Sequence, residues 1–139
     1  MAQALCDALD DGDEAALAAA ARRVVGRGPG LTPSGDDVVV GLLTALGMHG
    51  EPARERLSRA LARVLPTTTD LSRHLVHEAA LGLPGRALHE LGAALLSGVD
   101  LDGATTRALA IGATSGADAA VGLVAGCRHS LPAPERATA

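Results

Sequence analysis

The chain has 139 residues, of which 47% are hydrophobic and 20% charged, and it contains no Phe, Trp or Tyr. This length and apolar content fit one folded domain and exclude a disordered chain. All 12 basic residues are arginine, which excludes lysine chemistry such as a Schiff base, and a net charge of -4 without aromatic stacking groups argues against a nucleic-acid partner.

Segments rich in Ala, Leu, Arg and Glu alternate with Gly and Pro, so helices are expected throughout. The predicted helices cover residues 13–25, 36–49, 52–65, 71–81, 84–98, 100 or 102 to 111, and 116–128. Two runs, 38–48 and 119–127, are apolar around the whole helix, which is typical of helices enclosed by others. The sequence therefore predicts an all-α fold, a single compact domain of about six to eight helices with two buried central helices.

Nothing in the composition indicates a linker, so we expect one helical domain over residues 1–129 and a flexible tail over 130–139. No basic segment resembling a secretory signal is visible, and the longest apolar run is about half a membrane span. These features predict a cytoplasmic protein without a membrane partner. Cys6 and Cys127 are expected to be small buried side chains.

One short motif occurs twice at a constant offset. Residues 34–42 read SGDDVVVGL and residues 115–123 read SGADAAVGL. In each copy a serine is followed three residues later by an aspartate, the spacing of a capping box at a helix start. We therefore expect Ser34 with Asp37, and Ser115 with Asp118, to close two helix N-termini, each cap contributing about 1 kcal/mol.

The first copy contains more than a cap requires. A loop of sequence GRGPGLTP precedes it, and a second carboxylate, Asp36, stands beside Asp37. A glycine-rich loop before a helix is an anion-binding arrangement, yet a phosphate about 5 Å from a carboxylate costs roughly 3 kcal/mol per pair of unit charges. Either Arg27 or a divalent cation offsets that repulsion, or the carboxylates face an amide or amine of the ligand.

Other candidate groups carry weaker signals. His74 and His77 lie on one helical face without a third metal ligand at helical spacing, so a surface or packing role is favoured. The run 67–69 of three threonines, followed by Ser72, is typical of capping and also offers hydroxyl donors. No Gly-x-Ser-x-Gly motif is present, so a covalent hydrolase is not indicated.

Three segments in this order, GRGPGLTPSGDD, TTTDLSRHLVHEAALG and IGATSGADAAVGL, resemble one domain-of-unknown-function family. It is the family of the AllH-type subunit of oxamate carbamoyltransferase. The resemblance covers about residues 20–128 and corresponds to the C-terminal helical part of family members, which usually carry a further segment in front.

The resemblance implies a subunit of an assembly that moves a carbamoyl group between phosphate and oxamate in allantoin breakdown. It also implies other subunits as partners and a small anionic substrate. The motif positions of the family map onto three groups of residues in this chain: Gly28, Gly30, Thr32, Ser34, Gly35, Asp36 and Asp37; Thr67, Thr68 and Ser72; Thr114, Ser115, Gly116 and Asp118.

Our leading hypothesis is a small-anion site where the N-termini of the two central helices converge. Loop amides and nearby hydroxyls would hold the anion, and Asp36 or Asp37 would orient or deprotonate the attacking amide. One alternative is a hydrolase in which Asp36, Asp37 and Asp118 bind Mg²⁺. Another is a non-catalytic regulatory or scaffolding module that uses the Arg-rich face of residues 52–65.

Overall fold

The structure is a computed structural model that describes residues 1–131. Within these residues the chain forms eight α-helices and one short 3₁₀ turn. The helices are α1 (Ala2–Asp10), α2 (Glu14–Val24), α3 (Ser34–His49), α4 (Glu51–Ala62), α5 (Asp70–Ala80), α6 (Arg86–Ser97), α7 (Leu101–Leu109) and α8 (Ser115–Ser130), with the 3₁₀ turn at Leu65–Thr67. The all-α prediction and the single compact domain are confirmed. Residues 132–139, most of the predicted tail, lie outside the described residues, and 130 still belongs to α8.

Helix α3 is the centre of the fold. Every residue from Gly35 to Leu46 is buried, as the all-round apolar pattern predicted. Helices α4, α5, α6 and α8 pack around it, and α8 makes by far the closest approach. With no aromatic ring available, the core is filled by Leu, Val and Ala, so its density depends on helices that come very near each other.

Glycines allow α3 and α8 to touch backbone to backbone. A Cβ placed on Gly41 would collide with the carbonyl oxygen of Ala119, and a Cβ on Gly122 would collide with that of Val38. These two contacts are reciprocal, because Ala119 and Gly122 on α8 occupy the same positions in the repeated motif as Val38 and Gly41 on α3. The two helices therefore run side by side in the same direction, related by a local two-fold.

The prediction that α8 is enclosed on all sides is wrong. Its inner face, which includes Leu123 and Cys127, is buried, but Val121 on the outer face is 58% exposed. Helices α1, α6 and α7 contact α8 without covering this side. An apolar circumference shows only that a helix tolerates burial, and the number of neighbouring helices decides how much of it is covered.

The outer helices follow their amphipathic patterns. Helix α1, which the sequence analysis did not assign, buries Leu5 and Leu9 against the core. Helix α4 buries Leu57 and Leu61 as expected. Among residues 1–131, no helix is long and apolar enough to cross a membrane.

Candidate functional site

The loop before α3 is shaped by glycine and closed onto the helix. Gly28 has φ +117°, and its missing side chain makes room for the backbone nitrogen of Ser34. The amide of Gly35 donates to the carbonyl of Arg27 at 2.8 Å. Pro33 is the N-cap of α3, and its carbonyl accepts the amides of Asp36 and Asp37. The loop is thereby fixed to the first turn of α3.

The predicted capping boxes do not form. The N-caps are Pro33 for α3 and Thr114 for α8, and neither side chain makes a capping hydrogen bond. Ser34 and Ser115 are the first residues of their helices and do not occupy the N-cap position. Their side chains therefore do not accept the backbone amide that an N-cap side chain accepts. The backbone amide of Gly116 instead donates to the carbonyl of Ile111 at 2.9 Å.

The serine of the second copy has a different partner. The hydroxyls of Ser115 and Thr32 form a hydrogen bond of 2.8 Å, which joins the start of α8 to the loop in front of α3. Both residues are half-buried. The structure therefore places the N-termini of the two central helices together, which is the geometry that the repeated motif predicted.

Asp36 is held entirely by the protein. It is 1% exposed, its Oδ1 accepts the amide of Gly26 at 2.8 Å, and its Oδ2 accepts the hydroxyl of Thr68. Next to this bond, the hydroxyl of Thr69 donates to the carbonyl of Leu31 and accepts the amide of Ser72 as the N-cap of α5. Asp36 therefore joins the start of α3 to the segment before α5 and to the loop between α2 and α3.

Asp37 lies in a different environment. It is 5% exposed, and its Oδ2 is buried without a hydrogen-bond partner among the described residues. Asp118 also has a buried Oδ2 without such a partner. We call Thr32, Asp37, Ser115 and Asp118 the Asp37 cluster.

The surroundings of Asp37 raise its pKa above the ordinary aspartate value. Burial raises the pKa of Asp37, since the charged form loses water. The hydroxyls of Ser115 and Thr32 lower it in part, and the negative charges of Asp118 and Asp36 raise it further. A carboxyl group with this balance is suited to exchange a proton with a ligand.

The other predicted site residues differ in their exposure and in their hydrogen bonds. Thr67 donates to the carbonyl of Val64 in its own turn at 2.7 Å. Ser72 is 1% exposed, and Thr114 and Gly30 are exposed. The sequence analysis missed the role of Gly26, while its expectation that the threonine run caps a helix is confirmed at Thr69, the N-cap of α5.

No metal-binding cluster is found among residues 1–131, and both cysteines are buried. No three of their His, Cys, Asp and Glu side chains are placed to hold a metal ion, and His74 and His77 are exposed. Burial, with smaller contributions from Asp10 and Asp7, raises the pKa of Cys6 to about 11. The magnesium alternative thus gains no support from these residues. The expectation that both cysteines are buried is confirmed.

Comparison with known proteins gives one result that decides the family. The family model described as oxamate carbamoyltransferase subunit AllH matches residues 24–127. The chain belongs to the AllH family. No solved structure matches it.

The AllH match covers the whole candidate site. It begins at the last residue of α2, includes the loop and α3, and ends near the end of α8. Both copies of the repeated motif, and all four residues of the Asp37 cluster, lie inside it. Helix α1 and most of α2 lie before the AllH match and pack against α8 and α4.

Proposed function

We propose that this chain serves as the AllH-type subunit of an oxamate carbamoyltransferase complex and that the Asp37 cluster binds one of its small substrates. The observation that carries the proposal is a buried carboxylate oxygen of Asp37 without a partner, at the place where the hydroxyls of Thr32 and Ser115 meet. A buried polar atom left unsatisfied costs folding free energy and is typical of a site built for a ligand.

The chemistry of carbamoyl transfer fits these groups. The amide nitrogen of oxamate attacks the carbamoyl carbon of carbamoyl phosphate, a C–N bond forms, and the C–O bond to phosphate breaks. The attacking nitrogen loses a proton in this step. In this proposal Asp37 accepts that proton, while the hydroxyls of Thr32 and Ser115 donate to the substrate's oxygen atoms.

Asp36 has a supporting role in this proposal. Gly26 and Thr68 donate to its two oxygens and the side chain is only 1% exposed, so a substrate has little access to Asp36. It holds the loop in the shape that brings Thr32 to Ser115. Of the two candidate catalytic carboxylates, we therefore assign the proton transfer to Asp37.

Calorimetry with carbamoyl phosphate, oxamate and oxalurate, each with and without Mg²⁺, tests the binding proposal. We expect heat with at least one of them, and affinity about five- to tenfold weaker in Thr32→Val and Ser115→Ala, since each removes one hydrogen bond of about 1 kcal/mol. Thr106→Val is the matched control, because that hydroxyl donates to a backbone carbonyl on α7. Folded protein that gives no heat with any ligand would contradict the proposal.

The subunit assignment has its own test. Size measurement of the chain alone, and after mixing with the proteins encoded beside it, should show a larger assembly in the mixture. A monomer that turns over substrate without any partner would show that the chain is not a subunit. On the Arg-rich face of α4, Arg56 already donates to Glu14 and to the carbonyl of Leu9, whereas the side chain of Arg59 is 63% exposed.

A further inference from the structure

Two carboxylates of the Asp37 cluster occupy equivalent positions in the local two-fold. The reciprocal glycine contacts pair Val38 with Gly122 and Ala119 with Gly41. Asp37 and Asp118 each stand one residue before Val38 and Ala119, in the first turns of α3 and α8. The repeated motif therefore places two carboxylates symmetrically at the joint N-terminus of the central helix pair.

Both carboxylates have an oxygen that the protein leaves unsatisfied. The Oδ2 atoms of Asp37 and Asp118 are buried and lack a hydrogen-bond partner among the described residues. Asp37 as a whole is 95% removed from solvent, since it is only 5% exposed. Asp36, in contrast, has both carboxylate oxygens hydrogen-bonded by the protein.

The count of donors and acceptors defines the missing partner. The hydroxyls of Thr32 and Ser115 carry one proton each, and one of these protons is used in the bond between them. The two ionised carboxylates offer four oxygen acceptors. The cluster thus has more acceptors than donors, and a ligand completes it by bringing N–H groups.

The negative charges of Asp37 and Asp118 also favour an uncharged donor group over an anionic group. A phosphate or carboxylate group placed against the carboxylates of Asp37 and Asp118 is repelled by both, and no arginine among the described residues donates to their buried Oδ2 atoms. An uncharged NH₂ group meets no such repulsion, and it carries two donors for two acceptors.

We propose that Asp37 and Asp118 together bind the NH₂ group of a primary amide or ureido ligand, so that this site takes the nitrogen end of the substrate and not its anionic end. The inference rests on the proposed function, which it makes more specific. Among the substrates considered, oxamate, oxalurate and carbamoyl phosphate all present such a group.

The comparison of oxamate with oxalate tests this inference. The two ligands share a carboxylate and differ where oxamate has NH₂ and oxalate has a second negative oxygen. We expect wild-type protein to bind oxamate at least about tenfold more tightly than oxalate by calorimetry. In Asp37→Asn and in Asp118→Asn, each of which replaces an acceptor oxygen with NH₂, the preference should fall to about threefold or less.

Matched controls keep the result interpretable. Asp102→Asn removes another first-turn carboxylate, on α7, and should keep the wild-type preference. Asp118 is only half-buried, so Asp118→Asn disturbs the core less than Asp37→Asn. It can therefore test the inference if Asp37→Asn does not fold.

Each failure has a distinct signature. Equal binding of oxamate and oxalate to wild type, or a preference that survives both substitutions, overturns this inference and leaves the proposed function standing. Stabilisation of wild type by Mg²⁺ that is lost in Asp37→Asn also overturns it, because the pair is then a cation site. Folded protein that binds none of the ligands overturns both proposals.

Discussion

The buried carboxyl group of Asp37 weakens the folded state at neutral pH. Its position in the first turn of α3 favours a negative charge, but burial outweighs this effect and raises its pKa. Asp37→Asn keeps the shape of the side chain and removes the buried charge. We therefore expect the variant to melt at a higher temperature than wild type at pH 7 and to lose substrate binding, as measured by thermal unfolding and calorimetry.

The pH dependence of that difference is fixed by the direction of the pKa shift. Because the pKa of Asp37 is raised on folding, the folded protein binds this proton more tightly than the unfolded chain. Its contribution to stability is fully present below the ordinary aspartate pKa, about 3.9, and is lost as the pH rises through the raised value. The advantage of Asp37→Asn should thus vanish near pH 4 in a pH series of melting curves. An advantage that persists at pH 4 would show that charge burial is not its cause.

Sequence reasoning at the residue scale predicted that the two helix starts meet, but it assigned the wrong hydrogen bonds to the side chains there. The spacing of Ser34 with Asp37 predicted a capping box, yet Pro33 takes the N-cap position and moves the serine into the helix. Which of two adjacent aspartates is satisfied depends on Gly26 and Thr68, which no local pattern connects to Asp36. Long-range hydrogen bonds of this kind are decided by tertiary packing and have no signal in a short sequence window.

At the scale of helices, the α3–α8 contact depends on two glycines. Gly41→Ala and Gly122→Ala each force a methyl group into a backbone carbonyl of the other helix, and backbone atoms cannot rotate away. We expect each substitution to lower the free energy of unfolding by about 3 kcal/mol or more, at the upper end of overpacking effects. Chemical denaturation measures this loss.

Gly47→Ala is the matched control for these substitutions. Gly47 also lies in α3, but its added methyl group would meet the side chain of Arg54, which can move. Alanine is the better helix former by about 1 kcal/mol, so this variant should be neutral or slightly more stable. Equal destabilisation by all three substitutions would mean that the close approach of α3 and α8 is not the reason.

The helices themselves were largely predictable, for physical reasons. Gly, Pro and acidic residues mark where most of them begin and end, and α4 shows the expected buried stripe of Leu57 and Leu61. Helix α1 was missed because it is only nine residues long and ends in consecutive acidic residues that read as a loop. The exposed side of α8 was missed because Val121 looks the same in sequence whether or not a neighbour covers it.

For the molecule as a whole, the convergence of helix starts is the feature that unites fold and site. Thr32 joins the start of α8 to the loop before α3, and Asp36 joins the start of α5 to the same region. Positive helix ends gathered in one place favour the carboxylates there and offset part of the cost of burying them. The repeated motif could predict the first of these junctions, but not that α5 would add a second.

One arginine connects the segment before the AllH match to the rest of the molecule. Arg56 on α4 donates to Glu14 of α2 at 2.9 Å and to the carbonyl of Leu9 of α1 at 2.9 Å. Arg56→Met keeps the apolar stem and removes both bonds. Because its Nη2 atom has no partner among the described residues, we expect a net loss of only about 1 kcal/mol and a fall in melting temperature of roughly 3–5 °C.

The loss should be local as well as small. Hydrogen exchange should become faster in α1 and α2 while the amides of α3 and α8 keep their protection, since the α3–α8 contact does not involve Arg56. Arg59→Met is the control, because that side chain is 63% exposed and its ion pair with Glu55 is 4.0 Å long, so it should change stability by only a few tenths of a kcal/mol. Faster exchange in α3 and α8 as well would show that α1 and α2 unfold together with the central helices, and that the segment before the AllH match is an integral part of one cooperative domain.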